Sequence, residues 1–280
     1  MKKINNINRK TGHLYLELMK KTLSFLLWPE PYEPITMLNS RRSFIKNKLI
    51  SSISTILARI QLLIVYKRNS SIKQRIEGQI SPIYADTMIG LKRLDNLQKC
   101  VETVIEENIE GDFIETGAWR GGACIFMRAI LAVHEIEDRK IFVADSFEGL
   151  PKPNTNYSQD SEDKHYMNTY LAVSKEEVKN NFQKYGLLDK QVVFLEGWFE
   201  DTLPNAPIDK LSILRLDGDM YGSTIESLNN LYPKLSKGGY CIIDDYALSG
   251  CKSAVDDFRL NHNIKSKIKK IDWTGIYWKK

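Results

Sequence analysis

Residues 113–122 read FIETGAWRGG, a short apolar run that includes an acidic residue and passes straight into a glycine-rich turn. The helical pattern of Gly122–His134 follows directly. Glycine lets the backbone turn sharply and approach a ligand closely, and the first turn of the following helix offers free N–H groups. The stretch is typical of a binding turn at the end of a strand, although an ordinary strand–helix connection explains the glycines equally well.

Strands and helices alternate on both sides of this stretch. Strands are predicted at Phe113–Thr116, Lys140–Ala144, Gln191–Leu195, Leu211–Leu216 and Tyr240–Ile243. Helices are predicted at Leu91–Glu107, Gly122–His134, Lys175–Tyr185 and Thr224–Leu235. The last three strands are nearly continuous apolar runs, as expected for strands covered on both faces. We therefore predict an α/β fold with a doubly wound, mainly parallel, Rossmann-like sheet, in which ligands bind beyond the carboxyl ends of the strands.

Glu115 stands at the end of the first predicted strand, and the glycines after it lack the GxGxxG spacing of dinucleotide-binding proteins. A carboxylate at this point repels a pyrophosphate but accepts hydrogen bonds from a cationic or amine-bearing ligand. The turn therefore argues against NAD and favours a compact nucleoside such as S-adenosylmethionine (SAM).

Asp145 ends the second predicted strand, 28 residues after Gly117. An acidic residue about one βα unit after a glycine turn is where a ribose diol is held. A helix N-cap is the alternative, but Gly149, Pro151 and Pro153 follow and disfavour a helix start. We prefer the ribose role.

Four aspartates follow the fourth and fifth predicted strands: Asp217, Asp219, Asp244 and Asp245. Neighbouring parallel strands bring these side chains to one edge of the sheet, where each carboxylate raises the pKa of the others. Helix caps explain one or two of them. All four fit better around a hard cation with oxygen ligands, and Mg²⁺ is the expected ion. The four His are scattered and predict no zinc or iron site, and a GxSxG elbow is missing.

The composition is that of a globular chain. The 280 residues are 42% hydrophobic and 27% charged, which excludes wholesale disorder and fibrous repeats. Four Cys without CxxC spacing argue against a disulfide scaffold, and the absence of a signal pattern at the start favours the cytoplasm. Residues 1–85 carry fifteen Lys and Arg against four Asp and Glu. This basic front end suits an anionic partner, but it suits a solvated helical arm at least as well.

The front end reads as helical. An amphipathic pattern spans residues 14–27 and stops at Trp28-Pro29. A second apolar stripe lies within residues 44–68, with Arg59 near its middle. A transmembrane helix is the alternative for this stripe, but the arginine costs about 2.5–3.5 kcal/mol in a bilayer. We predict a packed or interfacial helix, with peripheral membrane contact through residues 44–68 as an option and a homo-oligomer formed through the arm.

Several motifs together resemble the macrocin O-methyltransferase (TylF-like) family, a branch of the class I SAM-dependent methyltransferases. The matching stretches are Thr87–Leu91, Arg93–Leu97, Glu115–Gly122, Asp145–Pro151, Gly197–Phe199, Thr202–Pro204, Asp217–Tyr221 and Asp244–Tyr246. The resemblance covers about residues 80–280 and includes the early helix. Residues 37–78 depart from it.

The resemblance implies a methyltransferase domain at residues 86–280 behind a helical extension or lid at residues 1–85. The residues that it assigns to SAM are Thr87, Glu115, Thr116, Gly117, Ala118, Trp119, Asp145, Ser146, Gly197, Trp198 and Asp217. It also implies Mg²⁺ on Asp219, Asp244 and Asp245, with Asp217 as general base; which of Asp217 and Asp219 touches the metal stays open.

We therefore expect a Mg²⁺-dependent O-methyltransferase that acts on a sugar hydroxyl of a glycoside or surface glycan. The alternatives are a methyltransferase for another hydroxyl, a non-catalytic binding protein of the same fold, and an NAD-linked oxidoreductase, which Glu115 disfavours. A nucleic-acid partner is not expected, because residues 37–78 contain only Phe44 and Tyr66 as aromatic residues. Residues 157–170 read equally as a substrate lid or a surface loop.

Overall fold

The structure is a computed structural model that describes residues 2–29, 32–35, 44–67, 71–80 and 83–280. The helices are α1 (Lys2–Leu23), α2 (Phe44–Ala58), α3 (Ile72–Ile76), α4 (Leu91–Glu106), α5 (Gly122–Val133), α6 (Lys175–Lys184), α7 (Phe199–Thr202), α8 (Tyr221–Leu231) and α9 (Ser249–Asn261). The strands are β1 (Tyr32–Pro34), β2 (Val65–Lys67), β3 (Asp112–Thr116), β4 (Ile141–Asp145), β5 (Val192–Glu196), β6 (Leu211–Leu216), β7 (Leu235–Ile243), β8 (Lys269–Lys270) and β9 (Ile276–Lys279).

Seven strands form one sheet in the order β5-β4-β3-β6-β7-β9-β8. The five strands from β5 to β7 are parallel, and β9 runs antiparallel to both β7 and β8. The doubly wound, mainly parallel sheet predicted from the sequence is therefore confirmed. The strand order reverses between β3 and β6, and in such sheets a crevice opens at this switch point beyond the strand ends.

The sheet is buried on both faces, which explains the continuous apolar runs. Every residue of β6 is buried, because α4 and α5 lie on one face with a core around Phe113 and Phe126, and α8 and α9 lie on the other. Helix α1 adds Leu16, Met19 and Leu23 to the first core, where it packs against α5. All four cysteines are buried and free, in agreement with the expectation against a disulfide scaffold.

The fifth predicted strand begins earlier than expected. Helix α8 ends at Leu231, a short 3₁₀ turn follows, and β7 then starts at Leu235 instead of Tyr240. Pro233 lies in this turn, where it cannot continue an α-helix. The register with β6 shifts within the strand, and Gly238 has φ +89°. Because this irregularity interrupts the strand pattern, the sequence did not reveal the first residues of β7.

The stripe within residues 44–68 is shorter than predicted. Helix α2 ends at Ala58, Gln61 turns the chain with φ +60°, and β2 then pairs with β1. The side chains of Ile56, Ile60 and Leu63 are exposed, so they are not packed on the described part of this chain. Residues 36–43 and 68–70 lie outside the described residues. The domain boundary at residue 85 stays a prediction.

Within the described ranges, the helices are all too short or too polar to cross a bilayer. Contact of this region with a membrane surface also stays a prediction.

Candidate active site

A deep pocket opens at the switch point between β3 and β6. It contains about 990 Å³ of empty space, including its open mouth. Eight of the residues singled out in the sequence line it: Gly117, Trp119, Asp145, Ser146, Gly197, Trp198, Asp217 and Asp219. The walls therefore come from the carboxyl ends of β3, β4, β5 and β6, where the topology predicts a ligand site.

The glycine-rich turn after β3 is shaped by its neighbours as well as by the pocket. Gly117 has φ +86°, and a Cβ built on it lies 1.8 Å from the carbonyl oxygen of Asp217. Gly121 also has positive φ, and it caps the start of α5. The turn needs glycine at position 117 because β6 ends directly against it, a reason that is independent of any ligand.

Asp145 fastens this turn to the end of β4. Its Oδ2 accepts hydrogen bonds from the backbone N–H groups of Ala118 (2.7 Å) and Trp119 (3.2 Å), and its Oδ1 accepts from Phe147 (2.7 Å). Burial raises the pKa of Asp145, and the three N–H donors oppose that rise. The carboxylate lies on the pocket wall, as a ribose contact requires, and it shapes the turn at the same time.

Three of the residues predicted to contact SAM are buried beside the turn and do not line the described pocket. Thr116 is fully buried, and its hydroxyl lies 3.4 Å from that of Ser227. Thr87 is 5% exposed and packs against the start of α5. Glu115 is 2% exposed; its Oε1 pairs with Arg215 and its Oε2 accepts from the Cys124 thiol at 2.9 Å. The direct contact of these residues with a donor stays a prediction.

Two buried arginines compensate part of the acidic edge. Arg215, from the middle of β6, pairs with Glu115, with Asp217 Oδ2 (2.8 Å) and with Asp244 Oδ1. Arg93, from α4, pairs with the other oxygen of Asp244 and, through Nε, with Asp272 at 2.9 Å. Burial disfavours the charge on Arg215, but Asp244, Glu115 and Asp217 outweigh it and raise its pKa well above the usual value. Arginine side chains therefore compensate some of the carboxylates at the strand ends. The sequence had led us to expect that all of these carboxylates lack such partners.

The remaining carboxylates lie close together and disfavour one another's ionisation. Burial, followed by repulsion from Asp217, raises the pKa of Asp219 to about 7. Burial and the neighbouring carboxylates, Asp219 first among them, raise the pKa of Asp245 well above its usual range. Asp245 also accepts the backbone N–H of Asp219 at 3.2 Å. This crowding is the arrangement that a divalent cation relieves.

One group of carboxylates has metal-ligand spacing. Oxygen atoms of Asp217, Asp244 and Asp245 all lie within 4.8 Å of one another. The predicted ligand set of Asp219, Asp244 and Asp245 shares two members with this group, and Asp219 adjoins it through its bond to Asp245. An all-oxygen donor set of this kind fits Mg²⁺.

A segment spanning residues 149–171, which we call the cover segment, closes one side of the pocket. Leu150, Pro151, Tyr157 and Leu171 contribute to the wall. The segment is held to the glycine turn by Trp119, whose indole Nε1 donates to the carbonyl of Tyr170 at 3.0 Å. Within residues 157–170, Tyr157 and Asp160 line the pocket and most of the other side chains are exposed, so a role as a substrate lid stays a prediction.

This site geometry agrees with the comparisons with known proteins. Residues 12–280 match the family described as macrocin O-methyltransferase (TylF). The chain belongs to the TylF family. It is a SAM-dependent O-methyltransferase, as the motifs implied.

Two O-methyltransferases of Streptomyces are similar in sequence to this TylF-family enzyme. Demethyldecarbamoylnovobiocin O-methyltransferase of Streptomyces niveus is 52% identical over 76% of this chain and 83% of its own. The 8-demethyl-8-(2,3-dimethoxy-α-L-rhamnosyl)-tetracenomycin-C 4′-O-methyltransferase of Streptomyces olivaceus is 46% identical over 95% of this chain and 92% of its own. The solved structure of the O-methyltransferase NovP superimposes with a TM-score of 0.81 at 44% identity, covering 96% of this chain and 99% of that one.

Sequence reasoning missed several residues of the enzyme's pocket. Arg215 falls within a predicted strand and Arg93 within a matching motif, but neither was recognised as a counter-ion of the site. A signal existed for Arg215: it stands two positions before Asp217 on a fully buried strand, so both side chains project from the same face and the arginine needs a carboxylate partner. Met220, which lies within the matching stretch Asp217–Tyr221, also lines the pocket, as do Asp160 and Glu226, which come from loop and helix positions without a recognisable pattern.

Proposed function

We propose that this enzyme transfers the methyl group of SAM to a hydroxyl of a sugar, with Mg²⁺ as its metal cofactor. The observation that carries the proposal is the group of Asp217, Asp244 and Asp245 with metal-ligand spacing, of which Asp217 lines the same pocket as the glycine turn. The printed name of the Streptomyces olivaceus relative, whose substrate carries a rhamnosyl group, supports a sugar acceptor.

The donor is assigned to the β3 and β4 side of the pocket. Gly117 and Trp119 form the turn, Asp145 and Ser146 face the ribose, and Trp198 with Gly197 flanks the adenine. The support for this assignment is that all six residues line the same pocket. The apolar side chains there also exclude water from the sulfonium.

The four acidic positions divide into two roles. We assign Asp217 to the proton of the acceptor hydroxyl, because its backbone N–H donates to Thr116 (2.9 Å) and its carbonyl abuts Gly117, which fixes it beside the donor turn. We assign Asp219, Asp244 and Asp245 to the cation. When bound, Mg²⁺ makes a hydroxyl that it contacts more acidic.

The chain's own residues then supply position and charge. Arg215 holds Asp217 and Asp244 in place through ion pairs. Its charge favours the ionised form of Asp217 and opposes the rise in pKa that burial causes. Asp217 accepts the proton as the hydroxyl oxygen attacks the methyl carbon and the bond from that carbon to sulfur breaks. The sulfonium loses its charge in this step, so alignment and exclusion of water are the main contributions of the pocket.

The Asp219→Asn variant tests the assignment. We expect it to abolish methyl transfer to a rhamnoside panel and to weaken Mn²⁺ binding in calorimetry, whereas SAM affinity stays within about twofold of the wild-type value. Asp201→Asn, at an exposed position on α7, is the control and keeps full activity. Activity that persists in EDTA, or an equal loss of SAM and metal binding, contradicts the proposal.

The N-terminal region carries two further proposals. Leu14 and Leu18 on α1 and Ile56 near the end of α2 are exposed apolar side chains in a basic segment. A second copy of the chain and an anionic membrane surface both fit such a face. Light scattering of the purified enzyme and pelleting with phosphatidylserine vesicles test the two separately, and a monomer that does not pellet contradicts both.

A further inference from the structure

Asp160 is a buried carboxylate in the cover segment that no step above uses. It ends the 3₁₀ turn Ser158–Asp160 and is 2% exposed. Its two oxygens accept the backbone N–H groups of Tyr221 and Gly222, each at 2.8 Å. These are the first two residues of α8, where a helix has free N–H groups and the positive end of its dipole.

The start of α9 meets the same carboxylate. A Cβ built on Gly250, in the first turn of α9, lies 3.0 Å from Asp160 Oδ1 and 3.0 Å from the backbone nitrogen of Tyr221. Gly222 is similarly crowded, since a Cβ there lies 2.8 Å from the ring of Tyr157. Both helices therefore have glycine where the cover segment enters between them.

These two helices follow the two acidic loops of the site. Helix α8 begins after Asp219, and α9 begins shortly after Asp245. The hydroxyl of Tyr221 on α8 donates to Asp257 on α9 at 3.1 Å. A side chain fixed between the starts of α8 and α9 therefore fixes the distance between the loops.

A neighbouring residue of the cover segment reinforces this contact. The ring of Tyr157 lies 5.5 Å from that of Tyr221, and its hydroxyl lies 3.3 Å from Glu226 Oε1. The cover segment is thus attached at both ends, to α8 by Tyr157 and Asp160 and to the glycine turn by Trp119.

We propose that Asp160 is a positioning residue that latches the cover segment onto the starts of α8 and α9. The latch holds the pocket closed over the donor and keeps the two aspartate loops in a fixed relation. Asp160 acts through these elements and not by contact with the reacting atoms. The inference goes beyond the proposed acceptor and metal, because it requires only the SAM-dependent activity of the enzyme.

The Asp160→Asn variant breaks the latch with little change of shape. An amide has one oxygen for two N–H donors, and its NH₂ group faces the other donor. We expect trypsin to cleave after Lys164 in the cover segment roughly tenfold faster, and the Kd for SAM to rise roughly tenfold, as for loss of one charge-assisted hydrogen bond. Glu162→Gln removes the same charge from an exposed position two residues away and leaves both values unchanged.

The Gly250→Ala variant perturbs the same contact while residue 160 remains an aspartate. Alanine favours the helix, yet its methyl group crowds Oδ1, so we expect faster cleavage after Lys164 without a lower Tm. An Asp160→Asn protein with a lower Tm but with wild-type SAM affinity and cleavage rate overturns the proposal, because Asp160 is then only structural. The cleavage result is independent of acceptor and cation, so it separates failure of the latch from failure of the proposed function.

Discussion

The acidic residues at the sheet edge form two regions, which differ in the charge of the side chains that face their carboxylates. The inner region, Glu115 and Asp244, is buried against the guanidinium groups of Arg93 and Arg215. The outer region, Asp219 and Asp245, faces other carboxylates, and burial together with their repulsion raises both pKa values. Asp244 is paired with two arginines, and Arg215 lowers the pKa of Glu115, although burial still raises that pKa to about 7. The outer charges face other carboxylates and require a proton or a cation.

This difference shows which carboxylates of the site can bind a positively charged ligand. A buried ion pair is costly to break, since the remaining partner stays uncompensated. A crowded carboxylate, by contrast, gains from any cation that replaces its proton. Three substitutions test the contrast, one in the inner region, one at the neighbouring strand end, and one in the outer region.

Removal of Arg215 has the largest expected effect. Arg215→Met leaves Glu115 and Asp244 buried with less compensation, and we expect the free energy of unfolding in urea to fall by about 3–5 kcal/mol. Adding Glu115→Gln to this variant restores part of the loss. Lys210→Met breaks the exposed ion pair with Glu110 and leaves stability close to wild type. Equal effects of the Arg215 and Lys210 variants contradict the division into two regions.

Asp145→Asn has an intermediate expected effect. Asp145 accepts three backbone N–H groups, and an amide accepts at one oxygen only. We expect a loss of about 1–3 kcal/mol in urea unfolding. Asp201→Asn serves as the control. Unchanged stability shows that the turn does not depend on the charge of Asp145.

The smallest effect is expected from Asp219→Asn in the outer region. This substitution should increase the stability relative to wild type, whereas the two substitutions above decrease it. The pKa of Asp219 is about 7 in the folded chain and about 4 in an unfolded one. Between these values the folded state holds a proton that the unfolded state has lost, so wild-type stability falls as the pH rises through this window.

Asp219→Asn removes that loss, and its stability relative to wild type should rise by about 1 kcal/mol between pH 6 and pH 7. Thermal unfolding at both pH values, without added divalent cations, measures the difference. The control is Asp201→Asn, whose difference from wild type should not vary with pH. A constant difference for Asp219→Asn shows that Asp219 is not crowded.

Much of the fold could be predicted because strand and helix impose different apolar periods. Strand β6 was predicted with its observed limits, and α4 and α5 ended one residue earlier than predicted. Helix α9 was not predicted, although its buried residues Cys251, Ala254, Val255 and Phe258 have the i, i+3, i+4, i+7 spacing of an amphipathic helix. The end of α2 was also missed, because Ile60 and Leu63 continue the apolar stripe while lying on the surface.

The residues of the site could be predicted only where a chemically informative side chain stands at the end of a predicted strand. Acidic residues at strand ends reach the pocket by the logic of the sheet, which placed Asp145 and Asp217 correctly on its wall. Partners from distant segments could not be predicted, because the pairing of Arg93 with Asp244 spans 151 positions. Asp160 escaped notice for the same reason, since its partners are backbone groups of a helix 61 positions away.

The contact of Gly117 with the carbonyl of Asp217 has a consequence for protein engineering. The residue that shapes the donor turn and the residue proposed as base cannot be varied independently, because even one methyl group at position 117 displaces the chain at 217. New acceptor preferences are therefore best sought in libraries that randomise Leu150, Pro151, Lys152 and Asn154, which line the cavity and have no proposed part in the chemistry.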